Sequence, residues 1–158
     1  MQKLLKVSAV LAVMAGVVLL AGATWGIVFT YQNIARENIT TPEDAAIPST
    51  SVRGPLTLKA QADIIRTHAL KISGGKTYAE MPRQIPKVDE NGQPVLDEKG
   101  EPTMTANTAR DIWVTATTLT TALNLGIVTY AFSAFILLFG LISIWTGLVF
   151  WALSKKQV

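Results

Sequence analysis

The chain has 158 residues, of which 49% are hydrophobic and only 16% charged, where an average soluble domain carries roughly 25% charged residues. It has no cysteine, which excludes disulfides, thiolate metal sites, Fe–S clusters, cysteine nucleophiles and a lipoprotein lipobox. The missing charge is concentrated in blocks, since positions 7–35 and 112–154 hold no Asp, Glu, Lys, Arg or His, a membrane pattern rather than a globular one.

Residues 1–6 form a short tail carrying Lys3 and Lys6. A transmembrane helix is predicted over 7–31. Its apolar run, at about 1.5 Å per residue, reaches about 34 Å and exceeds a hydrocarbon core of about 30 Å. Trp25 and Tyr31 stand where an interfacial aromatic anchor is expected. The rival reading is a cleaved signal peptide ending at Ala21-Gly22-Ala23. Against it, the apolar run continues through Ile27, Val28 and Phe29, longer than a usual h-region. Ala12 with Gly16, and Gly22 with Gly26, are small residues four apart, a spacing that lets helix backbones approach closely in lipid. They are the candidate helix-packing residues of this span.

Residues 32–107 form a hydrophilic segment. Positions 39–55 hold Pro42, Pro48, Gly54 and Pro55 and read as an extended linker. An amphipathic helix follows at about 57–73, with Thr57 as a candidate cap. Leu58, Ala62, Ile65, Ala69 and Ile72 recur at three- and four-residue spacing, and Lys59, Asp63, Arg66 and Lys71 avoid that stripe. Gly74-Gly75 ends the helix. The stripe needs a cover: a threonine-rich stalk further along the chain, the membrane surface, or a partner protein. Its five residues are the candidate partner-docking set.

His68 is the only histidine. With no second histidine and no cysteine, it reads as a surface or packing residue rather than a metal ligand. Positions 89–94 (DENGQP) are echoed by 97–102 (DEKGEP). Both read as solvated turns, because the EF-hand ligand order is missing.

From 112 to 153 the chain is too long for one crossing and lacks a turn signal. One long helix is predicted, with 108–128 as a threonine-rich stalk and 129–153 as the second transmembrane span. Trp145, Trp151, Lys155 and Lys156 anchor its far end, and 154–158 form the second tail. Ser143 and Gly147 are a further candidate packing pair. All 11 acidic residues lie between the spans, whereas the tails carry only lysine. The positive-inside rule then places both tails in the cytoplasm of a plasma-membrane protein and the central segment outside. The net charge of +3 comes from these anchors, so no nucleic-acid surface is expected. The spans contain no ionisable group, which argues against a proton relay or ion pathway.

The fold class expected is therefore an all-α membrane protein with two transmembrane helices and a small, partly irregular extracytoplasmic segment. Positions 58–81, LKAQADIIRTHALKISGGKTYAEM, together with the flanking spans, resemble a group of two-span membrane proteins of actinobacteria. Members of that group often carry a ring-opening dioxygenase label, which a single histidine does not support, since a facial triad needs two. The resemblance implies an accessory subunit of the actinobacterial respiratory supercomplex that joins a cytochrome bcc complex to an aa3-type oxidase. Its partners would be other membrane subunits and the lipid bilayer, with no cofactor and no catalysis on this chain. The alternative from another class is an independent cell-envelope scaffold or sensor whose outside segment binds a ligand. An enzyme ranks third. Gly74-Gly75-Lys76-Thr77 echoes a phosphate loop, but its glycines end a helix instead of starting one.

Overall fold

The computed structural model describes residues 1–156. Its helices are α1 (Gln2–Arg36), α2 (Pro55–Ile72) and α3 (Thr108–Lys156), with two short strands, β1 (Gln84–Pro86) and β2 (Met104–Ala106). The fold is mostly helical. The strand pair is an addition to the all-α expectation.

α1 and α3 are both long and apolar enough to cross a membrane, and within each only 11% of the most apolar window is buried in the chain. A core helix of a soluble fold would be covered; these leave Phe132, Phe135, Phe139 and Trp145 at 60% exposure or more. Such surfaces require an apolar surrounding, which a lipid bilayer supplies. α1 and α3 pack antiparallel, so Ala9 meets Gly147 and Gly26 meets Ser133, and the start of α1 lies beside the end of α3.

α3 has 49 residues and a length of roughly 74 Å, about two and a half times a hydrocarbon core of about 30 Å. In its threonine-rich stretch several hydroxyls are satisfied on the helix itself. Thr115 donates to the Asp111 carbonyl, Thr118 to that of Val114 and Thr129 to that of Leu125. The helix starts at Asn107, whose Oδ1 accepts from the Ala109 amide while its Nδ2 donates to the Pro82 carbonyl.

α2 lies against the upper part of α3. Pro55 opens it, where a missing N–H is no loss. Thr57 completes the start from the third helical position, accepting from the amides of Arg53 and Gly54. Ser73 ends it, and Gly74 and Gly75 follow at φ 64° and 81°.

Positions 39–55 are folded, contrary to the extended linker expected. Thr40 pairs with Ser51, the Val52 amide donates to the Ile39 carbonyl, and the Thr41 hydroxyl accepts from the Thr50 amide. Val52 is fully buried among Leu58, Ala62 and Leu123. A second cluster joins Ala69, Met81, Trp113 and Ala116. Each cluster includes α3 residues, so the hydrophilic segment has no core of its own.

The two echoed turns have the same construction. Asp89 Oδ1 accepts from the amides of Asn91 and Gln93, and Asp97 Oδ1 accepts from those of Lys99 and Glu101. Three chain passes then close on one another. Lys87 donates to Thr103, Thr103 to Val95 and Val95 to Lys87, all through backbone groups.

Candidate functional site

The site with the most internal organisation is the seam between α1 and α3. Buried residues on α1 are Ala9, Gly16, Ala23 and Thr30. In the lower part of α3 they are Ser133, Gly140, Gly147 and Ser154. Both sets recur every seven residues, the period of helices wound around each other with a left-handed twist. All eight are small, so the two backbones lie close. A Cβ added at Gly16 would sit 2.7 Å from the Gly140 carbonyl oxygen and 2.9 Å from the Ile144 nitrogen. One added at Gly147 would sit 2.8 Å from the Ala9 carbonyl oxygen.

Five of the six sequence-predicted packing residues lie at this seam. Ser143 donates from its hydroxyl to the Ala12 carbonyl at 2.8 Å. Gly16 and Gly147 face backbone, and a Cβ at Gly26 would meet Ser133 Oγ at 2.8 Å. Gly22 does not belong: nothing lies within 4 Å of its added Cβ, and Ala23 takes the buried position beside it. Gly22 falls one position before the ladder place that Ala23 occupies, whereas Gly26 shares its place in the seven-residue repeat with Ala12. Sequence reasoning passed over Ala9, Ala23, Thr30, Ser133, Gly140 and Ser154. Their signal was present as two seven-residue ladders of small side chains.

The five residues expected to dock a partner are mostly covered within the chain. Leu58, Ala62 and Ala69 are buried, Ile65 bridges the two apolar clusters, and a Cβ at Gly126 would touch Leu58 at 3.2 Å. Only Ile72 stays open, at 55% exposure. This corrects the docking expectation. The threonine-rich part of α3 is the cover, because α3 is longer than a bilayer crossing requires and its first part presents Trp113, Ala116 and Leu123 to α2.

A flank of α3 beside the α2 contact remains uncovered. Tyr78, Trp113, Val114, Thr117, Thr121 and Leu125 are among the residues lining an open groove of about 570 Å³. Arg110 fixes one wall, with its guanidinium 3.8 Å from the Tyr78 ring centre and a 2.7 Å hydrogen bond to the Met81 carbonyl. Arg66 lies 5.6 Å from the Trp113 ring.

His68 pairs with Asp44 at 2.7 Å, tying the folded 39–55 loop to α2, and both side chains are exposed. The bond to His68 is the main cause holding the Asp44 carboxyl below its ordinary range. Glu80 is likewise lowered, by the amide and then the hydroxyl of Thr77. Among the described residues no group of three or more His, Asp or Glu is placed to hold a metal ion.

Comparisons with protein-family models, curated proteins and solved structures found no match.

Proposed function

We propose that the chain is a non-catalytic accessory subunit of a larger membrane protein complex. The observation that carries this reading is the uncovered side of α3 beyond the bilayer. α2 covers one face of the threonine-rich stretch, and the flank beside it keeps the groove from Tyr78 to Leu125 open. Val114 and Leu119 are each 49% exposed along the same stretch, and Leu125 is 65% exposed. Apolar groups beside threonines on a rigid helix suit contact with another protein more than contact with water.

Two further features support it. The chain's one histidine is paired with Asp44 on the surface and is not among the residues lining the groove. The resemblance of positions 58–81 to actinobacterial two-span proteins makes the bcc–aa3 respiratory supercomplex the first complex to test. In this reading the lysine-flanked ends of α1 and α3 face the cytoplasm of a plasma-membrane protein, and residues 37–107 face outward.

The experiment is purification of the tagged full chain in mild detergent from its native membrane, followed by mass spectrometry. Co-purification of the cytochrome subunits in fixed ratio is the expected result. Recovery as a free chain, or as a self-assembled ring of defined size without partners, sinks this reading. The second of those results favours the independent scaffold.

A further inference from the structure

A second groove, of about 420 Å³, lies where α1 leaves its apolar run. Ile27, Val28, Tyr31 and Gln32 of α1, Tyr130 of α3 and Arg53 are among its lining residues. Arg53 is the residue before the cap of α2, and its backbone is held in place because the Tyr130 hydroxyl donates to its carbonyl at 2.8 Å. Its Nη1 is buried without any hydrogen-bond partner. A buried donor on a permanent cation is costly to leave unmade.

Three observations identify what would satisfy it. The guanidinium is a planar fork of donors matched to phosphate or carboxylate oxygens. The groove continues from Arg53 onto Ile27 and Val28, which belong to the apolar run of α1, so a ligand with a charged head and an apolar tail fits its direction. Tyr31 and Gln32 stand at the apolar–polar boundary of that helix, the depth at which lipid headgroups lie. None of the lining residues is an Asp or Glu, so a headgroup ammonium finds no acidic partner there.

We propose that Arg53 holds the phosphodiester of an anionic phospholipid, with an acyl chain along Ile27 and Val28 and the headgroup beside Tyr31 and Gln32. The lipid belongs to the leaflet on the side of residues 37–107, whichever compartment that leaflet faces. The site requires no protein partner, so its test is separate from that of the accessory role.

The test uses the purified full chain in dodecylmaltoside with three probes: dioleoyl phosphatidylglycerol, dioleoyl phosphatidylcholine and inorganic phosphate. Native mass spectrometry reads the retained lipid, and thermal unfolding reads its effect on stability. The expected result is one phosphatidylglycerol per chain, a raised unfolding temperature, and neither effect at equal concentration of the other probes. Arg53→Gln should weaken retention by roughly tenfold or more and unfold no earlier than wild type without lipid. Val28→Trp, which fills the groove from α1 without touching the cation, should weaken retention as well.

The proposal is overturned if phosphatidylcholine binds equally or inorganic phosphate reproduces the stabilisation. It also fails if the lipid-free Arg53→Gln chain unfolds early, which would make the side chain structural. Should that variant not fold, Val28→Trp decides, and unchanged phosphatidylglycerol retention in it overturns the proposal.

Discussion

The Ser143 hydroxyl donates a 2.8 Å hydrogen bond to the Ala12 carbonyl, joining two helices whose bonded residues are 131 positions apart in the chain. The bond forms because small side chains above and below it let the backbones come close. In lipid such bonds contribute modestly, so Ser143→Ala should cost about 0.6 kcal/mol. Unfolding of the purified chain in micelles measures this. A loss several times larger would mean that the hydroxyl has a role beyond the seam.

Glycines of α1 should separate sharply by position. Gly16→Ala drives a methyl into backbone of α3, 2.7 Å from the Gly140 carbonyl, and should destabilise the pair by about 1–3 kcal/mol. Gly22→Ala meets open space and should be neutral or stabilising by up to about 1 kcal/mol through helix propensity. Thermal unfolding of both variants in one detergent tests the seam. Equal effects would disprove the seven-residue register.

Tyr130→Phe removes the donor to the Arg53 carbonyl. The ring still packs against the cluster of Val52, Leu58, Ala62 and Leu123, so the loss isolates one hydrogen bond of about 1 kcal/mol. Hydrogen exchange should rise locally at 52–57 and stay unchanged at the far end of the seam.

Acid should loosen the hydrophilic segment before it affects the spans. The carboxyls of Asp44 and Glu80 are held below their ordinary values, Asp44 mainly by His68 and also by Lys71, and Glu80 by Thr77. A lowered folded-state pKa stabilises the fold above the unfolded value, and that stability is lost as pH falls through the folded value. Protection of the 39–55 loop and of the 77–80 turn should therefore decline below about pH 4. Asp44→Asn should remove the pH dependence of the loop alone, as read by hydrogen exchange between pH 7 and 3.

The chain has no native cysteine, so single-cysteine variants report its orientation directly. With cytoplasmic ends, Lys99→Cys should react with a membrane-impermeant maleimide on intact cells, and Gln2→Cys only after permeabilisation. The reverse pattern would invert the topology. Absence of the Gln2→Cys peptide from the mature protein would establish cleavage of the first segment.

Much of the fold is legible in the linear order of residues. Charge-free runs mark the two long helices, because a bilayer rejects ionisable groups along about 30 Å of chain. The three- and four-residue stripe from Leu58 to Ile72 marks α2, whose observed limits of Pro55 and Ile72 lie within two residues of those expected. The echoed DENGQP and DEKGEP turns form as read, because an aspartate bonding amides two and four residues ahead is a local event. The folding of the 39–55 loop was not legible. Its proline and serine content is that of a linker, and only contact with Leu58 and Leu123 buries Val52.

The sequence by itself therefore determined that there are two apolar helices, that a third is amphipathic, and which side chains are small enough for close packing. Tertiary structure alone decided which small residues pack. Gly22 and Gly26 are alike in sequence, yet only Gly26 faces Ser133. An isolated helix repeats every 3.6 residues, and a wound pair keeps fixed places of each seven-residue repeat at the seam, so Gly26 falls in line with Ala12 and Gly22 does not. It also decided that the Leu58 stripe is covered by α3 rather than left for a partner, because only the folded chain brings residues near 60 and near 120 together. The threonine-lined groove that α2 leaves open is likewise a product of the folded chain.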